Sequence, residues 1–271
     1  MVGGITMESI SKTKNILFIT SDQQHWMTLG VNNPNIKTPN LDRLANTGIT
    51  FDRAYTVNPT CTPTRGTLIT GMYPSQHGGW TLGTKVMEKT ETIGDILIRN
   101  NFETGLVGKA HFQPLASSDS YTSLESYPLL QDLEYWKRFN KRFYGFKDVE
   151  LARSHVYEAH VGQHYALWME DKGYKNWKDY FLPPTGNYIP SRNSSGSTRQ
   201  WDIPEEIHND HWIAERTNAL MDKYVSEKKQ FFLWASFFDP HPPYSVPGKW
   251  ADASFYTLCV KKQFVPMIGR P

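Results

Sequence analysis

A cysteine, a proline and an arginine share one short segment whose composition sets it apart from the rest of the chain. Residues 58–71 read NPTCTPTRGTLITG, which places Cys61 two residues before Pro63 and four before Arg65. The other cysteine is Cys259, so the sequence offers neither a disulfide framework nor a cysteine-rich metal cluster. Because a structural thiol more often lies in an apolar strand, Cys61 is a candidate reactive residue. The alternative is a plain reduced cysteine in a loop.

Two polar pairs elsewhere carry side chains that can bind ions. Asp22 and Gln23 offer the oxygen ligands that Ca²⁺ and Mg²⁺ prefer, although a turn or a helix cap explains the same pair. The side chains of Lys109 and His111 lie on the same side if their segment is extended. A solvated lysine and a surface histidine are the alternative for this second pair.

The elements that position these residues are three apolar segments that predict strands, each ending in polar residues. The first runs into Asp22, the second into Lys109, and the third into His241, which lies between two prolines and has a space-filling loop histidine as its alternative. His77 is predicted to be a turn residue. The segments are residues 15–20, 104–107 and 230–238, and the first predicts a strand buried on both faces. Because ligands bind beyond the carboxyl ends of strands in such sheets, the three ends predict a site.

Helical patterns alternate with these strands. One helix begins after Thr38 at Pro39, and the longest pattern has a predicted buried stripe. That stripe consists of Ile213, Leu220, Met221 and Val225. The other helical patterns cover residues 63–69, 91–101 and 205–229. The alternation predicts an α/β fold with a mainly parallel central sheet flanked by helices.

The organisation along the chain is predicted as three parts. Residues 1–14 are expected to form a disordered leader, and residues 246–271 an atypical tail without a recognisable element. The globular part covers 15–245 and contains an insertion rich in aromatic residues at about 112–200. Those aromatic side chains can roof a pocket or pack a lid against the core.

Composition narrows the class of protein. The 271 residues are 39% hydrophobic and 21% charged, which is typical of a globular chain with one large domain or two small ones. A net charge of +2 gives no electrostatic case for nucleic acid or for an anionic membrane surface. The sequence has no apolar run of about 18 residues and no recognisable signal peptide, so we expect a cytoplasmic location without a membrane anchor.

Five segments together resemble the sulfatase branch of the alkaline phosphatase superfamily. The pattern C-x-P-x-R at Cys61 is weak by itself, but the other segments occur in the order and spacing of that family. They are NILFITSDQQ, TPNLDRLANTGITFDRAYT, NPTCTPTRGTLITGMYPSQHG, GLVGKAHF and FFLWASFFDPHPPY. They cover most of residues 15–110 and 205–245.

The resemblance implies a covalent mechanism at position 61. In the family this cysteine is oxidised to formylglycine by a maturation enzyme, and the hydrated aldehyde is a geminal diol. One hydroxyl attacks sulfur to give a covalent sulfate ester, and the other helps to expel sulfate and regenerate the aldehyde. On this interpretation the thiol of Cys61 is a precursor, and Pro63 and Arg65 belong to the signal that the maturation enzyme reads.

The same resemblance implies a metal site and anion-binding side chains. Asp22, Gln23 and the modified Cys61 match metal ligands, with Ca²⁺ as the first expectation and Mn²⁺ or Mg²⁺ as alternatives. The remaining matches are to side chains that act on the sulfate group. Arg65 matches the arginine that holds the diol, Lys109 a lysine on the sulfate oxygens, His111 a candidate base, and His241 a histidine on the sulfate or the leaving oxygen.

One family feature is missing from the sequence. Relatives supply a second metal-ligand pair, Asp-Asn or Asp-His, after the His241 segment, but here Asp252 is followed by alanine and no strand is predicted before it. Asp210-His211 lies inside the longest helical pattern, before the last strand. The resemblance therefore implies a fold that is incomplete at the C-terminus, and it leaves open a truncated product, a short relative and a non-catalytic remnant.

The sequence thus predicts a formylglycine-dependent hydrolase of sulfuric esters. Its expected partners are a small-molecule or carbohydrate sulfate ester and the maturation enzyme. Two alternatives remain: hydrolysis of phosphonate or phosphate esters at the same kind of site, and an inactive protein that binds anions or a partner.

Overall fold

The computed structural model describes residues 15–154, 157–181, 198–242 and 244–247. The predicted leader and all of the predicted tail beyond residue 247, including Asp252, lie outside these ranges. Four strands form a parallel sheet in the order β1-β5-β2-β3, and β4 and β6 form a separate parallel pair. The strands are β1 (Ile16–Thr20), β2 (Phe102–Gly108), β3 (Asp148–Leu151), β4 (Thr198–Trp201), β5 (Gln230–Ser236) and β6 (Tyr244–Pro247). This arrangement confirms the predicted α/β fold with a mainly parallel sheet.

Along the chain, helices connect the strands of this sheet. The α-helices of the described residues are α1 (Pro39–Thr47), α2 (Cys61–Thr70), α3 (Pro74–His77), α4 (Ile93–Arg99), α5 (Leu133–Lys137), α6 (Gln163–Asp171) and α7 (Asn209–Ser226). Short 3₁₀ helices cover Trp26–Thr28, Leu129–Gln131, Glu158–His160, Trp177–Tyr180 and Glu205–Ile207. No helix among the described residues combines the length and apolarity needed to cross a membrane.

Strand β5 is the centre of the core because both of its faces are covered. Phe231, Leu233 and Ala235 pack into one hydrophobic cluster, while Phe232 and Trp234 pack into the other. Successive side chains of a strand point to opposite faces, so the two clusters lie on the two sides of the sheet. The continuous apolar run of β5 is therefore the pattern of a strand buried on both faces, which the sequence predicted for β1.

Strand β1 differs from that prediction. Leu17 and Ile19 are 42% and 56% exposed, whereas Ile16 and Phe18 pack partly against a core cluster. β1 is an edge strand that pairs with β5 alone, and only one of its faces meets the core of the described residues. The expectation that β1 is buried on both faces is wrong for this reason.

The aromatic-rich stretch at 112–200 contributes to the core of the molecule. It supplies β3 to the central sheet and α6 to the helical layer, and the sequence analysis assigned no strand there. Tyr165, Trp168 and Trp177 are 0%, 7% and 2% exposed in a cluster with residues of α7. These three aromatic side chains pack the core and do not roof a pocket.

Helix α7 carries most of the predicted buried stripe. Ile213 and Leu220 are buried and Met221 is partly buried, but Val225 is 61% exposed. Val225 lies in the last turn of the helix, next to its C-terminus at Ser226. The stripe prediction is therefore right for three residues and wrong for Val225.

Gly108 at the end of β2 is a position that a larger residue cannot occupy. Its φ is +102°, and a Cβ there would lie 2.0 Å from the carbonyl oxygen of Ser236 on β5. We expect Gly108→Ala to lower the free energy of unfolding by more than about 1 kcal/mol. Gly173→Ala is the matched control, because its φ is +94° but no atom lies within 4 Å. Equal losses in urea unfolding of both variants would mean that the contact with Ser236 does not matter.

Candidate active site

The carboxyl ends of three strands bring the candidate residues together. β5 lies between β1 and β2, so Asp22 after β1 and Lys109 after β2 face each other across the end of β5. The backbone N–H of Lys109 donates to the carbonyl of Ser236, the last residue of β5, at 3.1 Å. The three-strand convergence predicted from the sequence is thus a single place in the fold.

Cys61 is the first residue of helix α2, and it points toward this place. Thr60 precedes it in an extended conformation, and Gly71 ends the helix in the left-handed region at φ +68°. The Sγ atom of Cys61 lies 3.6 Å from the Nζ atom of Lys109. The amino end of a helix carries unpaired N–H groups and a partial positive charge, so an anion bound at Cys61 meets two sources of positive potential.

Arg65 lies one helical turn further along and is only 5% exposed. Its Nη1 donates to the carbonyl of Lys109 at 2.7 Å and to the Oγ of Ser236 at 2.8 Å. Its Nη2 lies 3.7 Å from Oδ2 of Asp22, and its guanidinium carbon is 5.7 Å from the ring centre of Trp234. Through these hydrogen bonds Arg65 connects helix α2 to the ends of β2 and β5.

Asp22 is the anion between these two buried cations. Its carboxylate accepts from the Lys109 ammonium and forms the longer ion pair with Arg65. Burial by itself raises the pKa of Asp22, but the Lys109 and Arg65 charges outweigh burial and lower that pKa below its ordinary value. Asp22 is consequently ionised at neutral pH.

His241 completes a group of three potential metal ligands. Ligand atoms of Asp22, Cys61 and His241 all lie within 4.8 Å of one another. The Nδ1 of His241 donates to the carbonyl of Pro242 at 2.6 Å, and burial lowers its pKa so that the ring is neutral at pH 7. One carboxylate, one sulfur and one ring nitrogen match Ca²⁺ only in part, because that ion takes six to eight oxygens.

Gln23, the predicted metal ligand beside Asp22, stays a prediction. Its side chain is exposed and its backbone is in the left-handed region at φ +57°. Within the described ranges no hydrogen bond joins it to Asp22, Cys61 or His241. The backbone bends at Asp22-Gln23, with the aspartate buried and the glutamine exposed.

His111 lies beside Lys109 with a fixed backbone and an unpaired ring. The carboxylate of Glu125 accepts from the N–H groups of His111, Phe112 and Gln113 at 2.6, 2.8 and 2.9 Å. The ring is 6% exposed, and neither of its nitrogens has a hydrogen-bond partner among the described residues. Burial, followed by the Lys109 charge, places its pKa well below the ordinary value, so the ring is neutral at pH 7.

His77 has a structural role. It is fully buried at the end of α3, where Nδ1 accepts from the N–H of Gly79 at 3.1 Å and Nε2 lies 3.2 Å from Oγ1 of Thr67. A Cβ on Gly66 would lie 2.5 Å from the His77 ring, so helix α2 and this histidine pack in direct contact. The sequence predicted a turn residue here, whereas the structure makes His77 the last residue of a four-residue helix.

A second cluster lies at the start of α7. Ligand atoms of His208, Asp210 and Asp239 lie within 4.8 Å of one another, and Asn209 donates to both carboxylates at 3.0–3.1 Å. Burial, and then the charge of Asp239, raises the pKa of Asp210 to about 7. Asp210 thus lies near the end of β5. The sequence analysis did not count it as a metal ligand, because it lies inside a helical pattern. His211 instead lies 3.7 Å from Glu215 on an exposed face.

The raised pKa of Asp210 predicts a pH-dependent gain from Asp210→Asn. Between pH 4 and pH 7 the folded chain holds a proton that the unfolded chain releases, so the wild-type protein loses stability as the pH rises through that window. Asparagine removes this loss. At one pKa unit per about 1.4 kcal/mol, we expect a gain of roughly 2–4 kcal/mol at pH 8 and little gain at pH 4. Urea unfolding at both values measures it. Asp222→Asn, at an exposed position of the same helix, is expected to change stability equally at both.

Sequence reasoning missed three residues of this region. Ser236 binds Arg65, Glu125 holds the backbone at His111, and Arg153 is a buried cation after β3 with an exposed fraction of 6%. Ser236 lies within a predicted strand, and its contact is with a residue 171 positions away. β3 reads DVEL, which has no apolar run, so no pattern marked the residues that follow it.

Comparison with known proteins points to one family. A family model described as Sulfatase matches residues 14–263. The chain is 25% identical over 263 residues to the uncharacterized sulfatase YidJ of Escherichia coli, covering 96% of this chain and 45% of that protein. It is 35% identical over 240 residues to an ulvan-active sulfatase of Formosa agariphila, covering 88% of this chain and 38% of that protein. The chain spans less than half the length of these two relatives.

A solved structure of another hydrolase shares the fold. A phosphonate monoester hydrolase from Silicibacter pomeroyi superposes with a TM-score of 0.61 at 20% identity. The match covers 88% of this chain and 43% of that structure. At this level of identity the likeness concerns the fold alone.

Proposed function

Because the chain belongs to the sulfatase family, we propose that it is a sulfuric ester hydrolase whose nucleophile derives from Cys61. The observation that carries this proposal is the position of Cys61 at the amino end of α2, with its Sγ 3.6 Å from the Nζ of Lys109. A tetrahedral anion attached there has an ammonium group and free helix N–H groups within reach. Such donors stabilise negative charge that develops on sulfate oxygens during attack.

Each surrounding residue has a role in this proposal. Lys109 binds the sulfate oxygens, and Arg65 holds Lys109 in place through the hydrogen bond to its carbonyl. His111, which is buried and neutral, takes a proton from the nucleophile. His241, held by the carbonyl of Pro242, binds the sulfate group or the leaving oxygen.

A modified residue at position 61 and a bound cation complete the proposed site. Formylglycine, formed at position 61 by a maturation enzyme, supplies on hydration an oxygen nucleophile for sulfur. Asp22, Gln23 and residue 61 are the residues that would hold a divalent cation, for which Ca²⁺ is our first choice. The cation supplies Lewis-acid polarisation of the sulfate group.

We propose a sulfated carbohydrate as the substrate class. The relative with 35% identity is named for its action on ulvan, and it matches 88% of this chain. Nothing in the charge of the chain favours nucleic acid over a small anionic ester, since the net charge is +2.

Mass spectrometry tests the central step. The tryptic peptide 54–65 contains Cys61 as its only sulfur-bearing residue and ends at Arg65. After production together with a formylglycine-generating enzyme, we expect this peptide to carry an aldehyde and the protein to hydrolyse 4-nitrophenyl sulfate in the presence of Ca²⁺. An intact thiol in all copies, or a converted protein that cleaves no sulfate ester, would overturn the proposal.

A second candidate is hydrolysis of phosphonate or phosphate esters. The fold similarity to a phosphonate monoester hydrolase supports it, because both reactions present a tetrahedral anion to the same cations. Parallel assays with an aryl sulfate, a phosphate diester and a phosphonate monoester separate the two candidates. A kcat/KM that is higher for the phosphonate by tenfold or more would favour the second.

A further inference from the structure

Arg153 is a buried cation that lacks a partner. Its side chain follows β3 and is 6% exposed, and its Nε and Nη1 have no hydrogen-bond partner among the described residues. The two nitrogens are themselves out of contact with solvent. Because an uncompensated buried charge is strongly unfavourable, a guanidinium in this state calls for an anion that binds to it.

The position of Arg153 relates it to the candidate active site. β3 pairs with β2 so that Leu151 lies opposite Gly108, and the N–H of Ala152 donates to the carbonyl of Gly108 at 3.1 Å. Neighbouring strands are about 4.8 Å apart, so Arg153 leaves the sheet roughly one strand spacing from Lys109. It lies on the side of Lys109 that faces away from Asp22 and β1.

Nearby acidic groups do not neutralise Arg153. Glu125 is close enough to affect its pKa, but both oxygens of that carboxylate accept backbone N–H groups and no ion pair with Arg153 forms. The other arginines of the region are paired: Arg65 with Ser236 and Asp22, and Arg216 with Glu150 through three hydrogen bonds at 2.7–2.9 Å. The missing partner is therefore particular to Arg153.

His111 faces the same region from β2. Both of its ring nitrogens are buried and unpaired, and the Arg153 charge contributes to the low pKa of the ring. From these positions we infer that Arg153, with His111 at its edge, forms a subsite for a second anionic group of the substrate. This inference rests on the proposed function, in which Lys109 and Cys61 bind the sulfate group that is cleaved.

The chemistry of the guanidinium defines the ligand. Its planar fork matches a carboxylate or a sulfate through paired hydrogen bonds, and such charge-assisted bonds are stronger than neutral ones. The two cations follow neighbouring strands, so the two anionic groups would be substituents on one sugar ring or on adjoining rings. The substrate class is thus a sulfated sugar that carries a second sulfate or a uronate carboxylate nearby.

Calorimetric titration of the full chain tests the subsite without turnover. In a Cys61→Ala background we compare galactose 6-sulfate, a galactose disulfate and a monosulfated disaccharide containing a uronate. We expect at least one of the two doubly anionic ligands to bind about tenfold or more tightly than the monosulfate. Adding Arg153→Met should remove this preference, and Arg153→Lys should retain part of it. The two doubly anionic ligands show whether sulfate or carboxylate is preferred.

Two controls keep the inference open to refutation. Arg138→Met removes the same charge from an exposed site just after α5 and is expected to leave the preference unchanged. Arg153→Met should melt at the same or a higher temperature than the parent, since a merely structural arginine would destabilise on removal. Equal affinities for all three ligands, a preference that survives Arg153→Met, or no binding would overturn the inference. Arg153-dependent binding by a protein whose converted form cleaves no sulfate ester would overturn the proposed function alone.

Discussion

Replacing Cys61 with alanine is expected to reduce kcat for aryl sulfate hydrolysis by at least about 10⁴-fold. The reason is that the proposed nucleophile is built on this side chain, and no other described residue offers a convertible group at the amino end of α2. Lys109 would still bind the sulfate group, so KM should change far less than kcat. Initial-rate kinetics on protein produced with the maturation enzyme measure both quantities.

The stability of the Cys61→Ala variant separates chemistry from folding. Cys61 is only partly buried, and its sulfur makes one long contact with the Lys109 ammonium. The melting temperature of the variant should therefore move by a few degrees at most. Leu68→Ala, at a position of the same helix that is 47% exposed, is a control expected to keep kcat. A Cys61→Ala protein that retains turnover within tenfold of the parent would rule out this residue as the source of the nucleophile.

Local sequence was enough to locate the residues that follow long apolar strands or begin a marked helix. Asp22 and Lys109 come directly after predicted strands, and Cys61 stands before a proline that begins a helix, so each had a signal within a few positions. The parallel order of the sheet then required their side chains to meet at one edge. The structure brings these three together with Arg65 and His241.

Other contacts depend on pairings that no local pattern encodes. Glu125 holds the backbone of His111 across 14 positions, and Ser236 binds Arg65 across 171. Arg153 follows the four-residue strand β3, whose two acidic residues interrupt the apolar pattern that would have predicted a strand. Gln23 adopts a left-handed backbone conformation that the residue types Asp and Gln do not predict. In each case tertiary structure, and not propensity, fixes the position of the side chain.

Asp22→Asn is expected to lower the free energy of unfolding at pH 7 by about 3 kcal/mol or more. The substitution keeps the shape of the side chain but removes the negative charge that faces Lys109 and Arg65, both about 5% exposed. Two buried cations would then remain without a counter-charge, which is the situation that makes broken buried ion pairs costly. Urea unfolding of the two proteins measures the difference.

The pH dependence of this loss identifies its cause. The pKa of Asp22 is lowered in the folded chain, so its stabilising charge is present above its unfolded value near 4 and disappears as the pH falls through the lower folded value. The difference between wild type and Asp22→Asn should therefore shrink below pH 4. Glu134→Gln breaks an exposed pair with Lys137 at 2.7 Å and is expected to change the free energy of unfolding little at any pH. Because that pair is also a direct ion pair, a large loss confined to Asp22 assigns the effect to burial, whereas equal small losses would show that Lys109 and Arg65 do not depend on Asp22.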